Sequence, residues 1–599
     1  MKSASIIAVV LLMVGFATAE IKDKGWWKDT VFYQIYPRSF MDSNNDGVGD
    51  LQGITSKLKH FVDSGIGAIW LSPINKSPMV DFGYDISDFR DIDKTFGTLK
   101  DFEALVAAAK KLGIKVILDL VPNHTSDKHD WFQRSRNNET GYRDYYLWVD
   151  GKNGKNDAVN PPNNWISVFG KSAWTFDKTR GQWYFHQFEY RQPDLNYRNK
   201  KVQEEMQAIM EFWLDKGVDG FRIDAVPHLY EDEKLKDEPR TNAPGVTSDE
   251  YKYLEHIYTK DHPETYELVS SWRKILDNYA NKHNTSEKVM MTEAYTSLAN
   301  TTRFYKHGSH IPFNFKFIMD VNATSKPSDF KRIIDDWMNA KSKDDVANWV
   351  MGNHDRSRTA SRYPGRADQM TMLAMLLPGV AVTYNGEEIG MLDNKNISFE
   401  ETQDPQGKLA GPEKYKTQSR DPCRTPFQWS NGTSAGFSKN KTTWLPIPSN
   451  YVTLNLEKQK ADAKSHYHVY KTLTQLRKTS DAVKNGGLIT LAVDDDILVV
   501  IRNGTKEVVT LVINFSQTTA KAVNLVGTLK DRESTVILTS TQNNEMEIGK
   551  KFNTASIQVP PLGSVVFQTD GPINSSTSLI LSDCIKVIFV LLFAFLFRP

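Results

Sequence analysis

The chain has 599 residues, 40% of them hydrophobic and 25% charged, enough to bury a large core and too long for one ordinary domain. Its 74 basic and 73 acidic side chains nearly cancel, so there is no basic stripe to track phosphates, which argues against nucleic acid as a partner. Cys423 and Cys584 are too few for a disulfide framework, so stability must come from core burial, with Cys423 expected as a buried or capped thiol.

In chain order, Lys2, the apolar run 6–16 and the small-residue exit Ala17, Thr18, Ala19 form a secretory signal peptide over 1–19, with the mature chain starting near Glu20. Sequons at Asn138, Asn284, Asn300, Asn322, Asn396, Asn431, Asn440, Asn503 and Asn514 fit that compartment, whereas Asn123, at a strand end expected to be buried, reads as unused. Short β-branched or aromatic runs predict eight strands, over 31–36, 68–71, 116–121, 220–224, 289–293, 313–315, 348–352 and 380–384. Helical periodicity lies between them. It is clearest over 201–216, where Val202, Met206, Ile209 and Trp213 share one face and Gly217 ends the run.

Alternating strands and helices predict an α/β fold, a (β/α)8 barrel of two segments, 20–124 and 193–486. The interruption at 125–192, rich in Trp, Tyr, Asn and Gly, reads as a loop-rich subdomain after the third strand that overhangs the site. From 487 to 570 the alternation and the turn signal Asn503-Gly504 predict a C-terminal antiparallel β-sandwich domain. The apolar end 587–597 is short of a spanning helix. With the small residues Asn574, Ser575 and Ser576 before it, 571–599 fits a GPI-attachment signal, which places the protein on the extracellular face of the plasma membrane.

Residues at the C-terminal ends of barrel strands converge on one rim, and four predicted strands end in polar groups. These are Asp119 to His124 (DLVPNH), Gly220 to Asp224 (GFRID), Met291 to Glu293 (MTE) and Gly352 to Asp355 (GNHD). Singly, each carboxylate is more often a helix cap or a surface charge; four at one rim point to chemistry. Arg222, two residues before Asp224, points to the same side of its strand and can hold that carboxylate ionised, and His124 and His354 can offer neutral donors to hydroxyls. Asp42, Asn44, Asp46 and Asp50, at alternate positions around a Gly-punctuated turn, suit a hard divalent ion, although the loop lacks the glutamate that completes an EF-hand.

The blocks DLVPNH, QPDLN, GFRIDAVPHL, MTEAY and GNHD, in that order, resemble the signatures of the α-amylase family. VFYQIYPRSF, DSNNDGVGDL, GYDISDF and SRDPCRTPFQW are similar to its maltase and oligo-1,6-glucosidase branch, and the tail to insect gut maltases. The resemblance covers about residues 25–565. It implies an exo-acting, retaining α-glucosidase, with Asp224 as nucleophile, Glu293 as acid and base, and Asp355 as the transition-state carboxylate. It further implies that Asp81, Tyr84 and Arg424 close the pocket beyond a terminal glucose, with Asp81 and Arg424 gripping its 4-hydroxyl. Relatives that prefer α-1,6 bonds usually carry Val where Ala225 stands, so maltose and short α-1,4 oligosaccharides are the expected substrates, with sucrose or turanose as further candidates. The branch implies a structural Ca2+ held by the side chains of Asp42, Asn44, Asp46 and Asp50 and the carbonyl of Val48.

Two other readings use the same residues. Amylase-like heavy chains of amino-acid transporters carry an N-terminal transmembrane helix and usually lose catalytic carboxylates; neither trait is present here. Lipid-anchored gut maltases can also dock a bacterial toxin, and the sequence leaves open both that partnership and homodimerisation.

Overall fold

The computed structural model describes residues 21–153 and 159–573. The expected signal peptide over 1–19, Asn574, Ser575, Ser576, Cys584 and the apolar end lie outside the described residues. Among the described residues no helix is long and apolar enough to cross a membrane.

Eight parallel strands form the central wall: β1 (Val31–Ile35), β2 (Ala68–Leu71), β3 (Lys115–Leu120), β4 (Gly220–Ile223), β5 (Val289–Thr292), β6 (Ile311–Pro312), β7 (Asn348–Val350) and β8 (Val380–Tyr384). Hydrogen bonds run unbroken in the order β6-β5-β4-β3-β2-β1-β8-β7. Between β6 and β7 a side chain bridges the wall. Asn348 donates from Nδ2 to Pro312 O at 2.6 Å and accepts from Asn314 N at 2.8 Å through Oδ1, doing the work of a ladder step.

Alternation along each strand divides the core. Phe32, Ala68, Trp70, Ile117, Val289, Met291, Val350 and Val382 fill the barrel lumen. Tyr33, Ile69, Leu118, Phe221 and Met290 pack outward against the helices. One of these is α1 (Lys200–Asp215), on which Val202, Met206, Ile209, Met210 and Trp213 are buried and Trp213 Nε1 donates to Phe89 O at 2.8 Å. Gly220 starts β4 because an added Cβ would lie 2.1 Å from Val289 O.

The excursion after β3 leaves beyond His124 and returns at Asp194, where an antiparallel bridge closes its stem. It holds a three-stranded sheet of Trp148–Val149, Gln182–Phe185 and Trp174–Asp177. At the C-terminal end a six-stranded antiparallel sheet includes β9 (Gly487–Ala492), β10 (Ile497–Asn503) and β11 (Glu507–Asn514), and a two-stranded sheet of Lys521–Val523 and Ile557–Val559 contributes Val523, Ile557 and Val559 to the same apolar cluster. The sandwich is lopsided.

The sixth strand differs from the sequence expectation of 313–315. Phe313 and Phe315 do pack into the lumen cluster, which gives the alternation seen in the sequence, but the ladder pairs Ile311 and Pro312 with Met291 and Thr292. Asn514 also departs from expectation. It is fully buried, and its Nδ2 donates to Thr519 O, Val559 O and Pro560 O, so the folded protein has no amide nitrogen there to carry a glycan. Asn503 is likewise engaged, exchanging two hydrogen bonds with Ile573. Asn138, Asn284, Asn322, Asn396 and Asn431 are exposed.

Candidate active site

The upper lumen turns polar where Asp119, Arg222, Asp224 and Glu293 project from β3, β4 and β5, and one guanidinium organises them. Arg222 Nη1 donates to Asp119 Oδ1 and Oδ2 at 2.9 and 3.1 Å and to Asp224 Oδ1 at 2.5 Å, while Nη2 lies 3.7 Å from Glu293 Oε2. Trp70 supports the cluster, its ring 5.0 Å from the guanidinium and its Nε1 donating to Asp119 Oδ2. Among the described residues a protein donor reaches Asp224 Oδ1 but none reaches Oδ2.

Ala225, directly after Asp224, has φ 48°, a left-handed conformation uncommon for a residue with a Cβ. That bend turns its N–H onto Glu293 Oε2 at 2.7 Å and leaves Oε1 to carry a proton. Burial pushes the Glu293 carboxyl up to about 8, with Asp224 and Asp355 adding to the pull of burial and Arg222 opposing it. Burial also raises Asp224, to about 6, against Arg222. Two acids in one hollow are thereby set apart, the higher one suited to hold its proton near neutral pH.

Asp355 is held the other way. Burial alone would raise it, but the charged guanidinium groups of Arg420, Arg424 and Arg222 oppose burial and hold it well below the usual carboxylate range. Its Oδ1 accepts from Arg424 Nη2 at 3.1 Å and Arg420 Nη1 at 3.3 Å. His354 Nδ1 accepts from Gln34 Nε2 at 2.8 Å, which places the ring proton on Nε2, facing Tyr84 Oη at 2.7 Å. Tyr84 stacks on that ring with centroids 5.3 Å apart and donates to Asp119 Oδ2 at 3.2 Å, joining the Asp355 group to the Arg222 group. Burial lowers His354 to about 3 and His124 to about 4, so both are neutral. His124 is spoken for by the protein: Nε2 donates to Tyr84 O at 3.0 Å and Nδ1 accepts from Asn123.

Residues 34–486 match the family model for the alpha amylase catalytic domain. The chain belongs to the α-amylase family. It is 48% identical to Maltase 1 of Drosophila virilis over 553 residues, 91% of this chain and 87% of that one. Similarity to the salivary alpha-glucosidase of Anopheles gambiae is 49% identity over 76% of this chain and 78% of that one. The solved structure of the alpha-glucosyl transfer enzyme XgtA superposes with a TM-score of 0.80 at 33% identity, covering 91% of this chain and 99% of that chain.

Within this α-amylase-family site, the pocket end departs from the sequence expectation. The arginine that touches Asp81 is Arg420, not Arg424: Arg420 Nη2 donates to Asp81 Oδ1 at 2.7 Å. Arg424 lies one turn further along the Asp421–Cys423 3-10 helix, where Nε donates to His354 O at 2.7 Å and the guanidinium stands 5.5 Å from the Tyr36 ring, behind Asp355. Trp70, Gln34 and Arg420 join the site although the sequence assigned them no role, and Asp119, one of the four rim carboxylates expected from the sequence, takes its place as the partner of Arg222. The subdomain adds Phe169, 5.2 Å from the Arg420 guanidinium, and Phe188 against His124 and His228. Cys423, buried beneath this wall, donates to Arg420 O at 3.1 Å.

The loop 42–50, expected from the sequence to hold a divalent ion, closes on its own backbone. Asp42 accepts from Asn45 N and Gly47 N at 2.7 and 2.8 Å, Asp46 accepts from Val48 N, and Asp50 caps the following helix at Gly53 N. Among the described residues no three His, Cys, Asp or Glu side chains converge as a metal cluster.

Proposed function

We propose that this α-glucosidase removes terminal α-1,4-linked glucose from maltose and short oligosaccharides, with sucrose a further substrate, through a covalent glucosyl-Asp224 intermediate. The observation that carries the reading is the pair of acids on Arg222: Asp224 with one oxygen tied and one free, and Glu293 pushed up to about 8. Asp224 Oδ2 attacks the anomeric carbon as the glycosidic C–O bond breaks, and Glu293 passes its proton to the departing oxygen. Water then attacks the glucosyl ester, Glu293 takes its proton, and Asp224 is released as a carboxylate. Asp355, held ionised by two guanidinium groups, stabilises positive charge at the ring carbon. The Asp81–Arg420 pair, flanked by Phe169, forms a pocket end that receives one glucose unit.

The structural Ca2+ reading rests on the all-oxygen donor set of the Asp42, Asn44, Asp46 and Asp50 side chains with the Val48 carbonyl, and it requires Asp42, Asp46 and Asp50 to turn from the backbone N–H groups they cap and converge on the ion. The signal peptide and attachment signal support an anchored, extracellular enzyme. The test is product analysis by purified ectodomain on maltose, isomaltose, sucrose and starch, with the anomer of the released glucose followed by NMR. Release of α-glucose from maltose is expected. Release of β-glucose, or rapid liquefaction of starch, refutes the retaining, exo-acting reading.

A further inference from the structure

We propose that Asp404 is a positioning residue that fixes the Arg420 guanidinium at the pocket end, so that recognition of the terminal sugar depends on a carboxylate that never touches it. This rests on the α-glucosidase reading above. Asp404 is fully buried. Its two oxygens accept from Arg420 Nε at 3.2 and 3.1 Å, from Nη2 at 2.6 Å and from the backbone N of Arg420 at 2.7 Å. A guanidinium has five N–H donors in a fixed plane. Asp404 takes Nε and one hydrogen of Nη2, Asp81 takes the other hydrogen of Nη2, and Asp355 takes one of Nη1. One Nη1 hydrogen is left without a protein acceptor among the described residues, available for a sugar hydroxyl.

The grip is reciprocal along the chain. Asp421, next to Arg420, accepts from the backbone N of Gln403 and of Asp404 at 2.7 and 3.0 Å. Two aspartates therefore cross-tie the base of the excursion 404–420, whose helical segment Pro405–Gln418 breaks at Gly411 with φ 76°. Burial would raise Asp404, but Arg420 outweighs it and holds the group below its ordinary value, so the pair is ionised. Without the Asp404 charge, Arg420 would be shared only by Asp81 and Asp355, whose directions differ. The planar fork would then have no side-on partner to fix its rotation.

The test is a set of cycles on the full ectodomain with p-nitrophenyl α-glucoside and its 4-deoxy analogue. Asp404→Asn is expected to lower kcat/KM on the parent substrate about 10- to 100-fold, the size of effect seen when a charge-assisted contact is lost. It should also shrink the discrimination against the 4-deoxy analogue. Arg420→Lys should do the same, and Asp404→Asn in the Arg420→Lys background should cost little more, because one acts through the other. Melting curves accompany each variant. If Asp404→Asn is poorly folded, Asp404→Glu, which keeps the charge one methylene displaced, carries the same comparison. Unchanged 4-deoxy discrimination in the folded variant, or fully additive losses, overturns the proposal while leaving the α-glucosidase reading intact. An inactive wild-type ectodomain strikes that reading instead.

Discussion

Glu293→Gln is expected to produce an enzyme that is strongly impaired on maltose yet more stable than wild type above pH 5. A buried acid raised from 4.5 to about 8 binds its proton more tightly folded than unfolded. Its contribution to stability is therefore neutral below its unfolded value and turns unfavourable as pH rises from there to the folded value. At ~1.4 kcal/mol per pH unit, the cost reaches ~3 kcal/mol at pH 7. Glutamine has the shape of the protonated acid, can accept from Ala225 N in the same way, and carries no ionisation cost. For a cooperative unit of this size, ~3 kcal/mol corresponds to ~2–3 °C in melting temperature. Calorimetry of both proteins from pH 4.5 to 8 is expected to show coincident transitions at the acid end and a widening gap towards neutrality. Hydrolysis of maltose should fall by ~10²–10⁴, the usual worth of a general acid, and less for aryl glucosides whose leaving group needs no proton. Parallel melting temperatures across that range, or a variant less stable at pH 7, would refute the claim that the fold holds Glu293 protonated.

Three further outcomes follow from the same geometry. The kcat/KM profile should rise as Asp224 loses its proton near about 6 and fall as Glu293 loses its proton near about 8; a profile still rising at pH 9 contradicts the assignment. Adding Ca2+ should raise the melting temperature and excess EGTA lower it, with kcat unaffected, and an identical response in Asp42→Ala would remove the 42–50 loop as the site. Asp368→Asn should destabilise by ~3 kcal/mol at neutral pH, because it leaves His466 and the Thr541 N–H without their buried carboxylate partner. His466 and Thr541 hold Asp368 below its ordinary value against burial, so this difference should shrink as pH falls through the acid range, and a constant difference down to pH 3 argues against an ionised Asp368.

Much of the barrel could be read from the sequence because its strands obey a local rule. Gly220, Arg222 and Asp224 alternate with Phe221 and Ile223, and that two-residue period alone puts guanidinium and carboxylate on the same side of β4. The sixth strand broke the rule: Phe313 and Phe315 alternate, yet Phe313 N makes the last ladder bond, to Thr292 O, and beyond it Asn314 is held by the side chain of Asn348, 34 residues away. Nothing local marks that. Arg420 and Arg424 sit four residues apart in an irregular turn, and which of them faces Asp81 is decided by Asp404, 16 residues upstream. Asn514 carries a valid acceptor triplet, and only the path of 519–560 shows that its amide is consumed by backbone carbonyls.

The end of the barrel's chain is not the end of its unit of stability. The helix Ala367–Leu376 finishes with carbonyls that have no partner of its own, and Arg502 from β10 supplies one at Leu376 O, 2.9 Å away, while Arg477 supplies another at Met375 O. Phe515 packs edge-on against Phe330 of the barrel's outer layer, with the Arg366 guanidinium 3.9 Å over its ring. A truncation at residue 486, where composition changes, would uncap that helix and strip an aromatic seal from the catalytic half. The terminal sheet thus acts as the barrel's outer wall on that side, and the two are expected to be inherited, expressed and lost together.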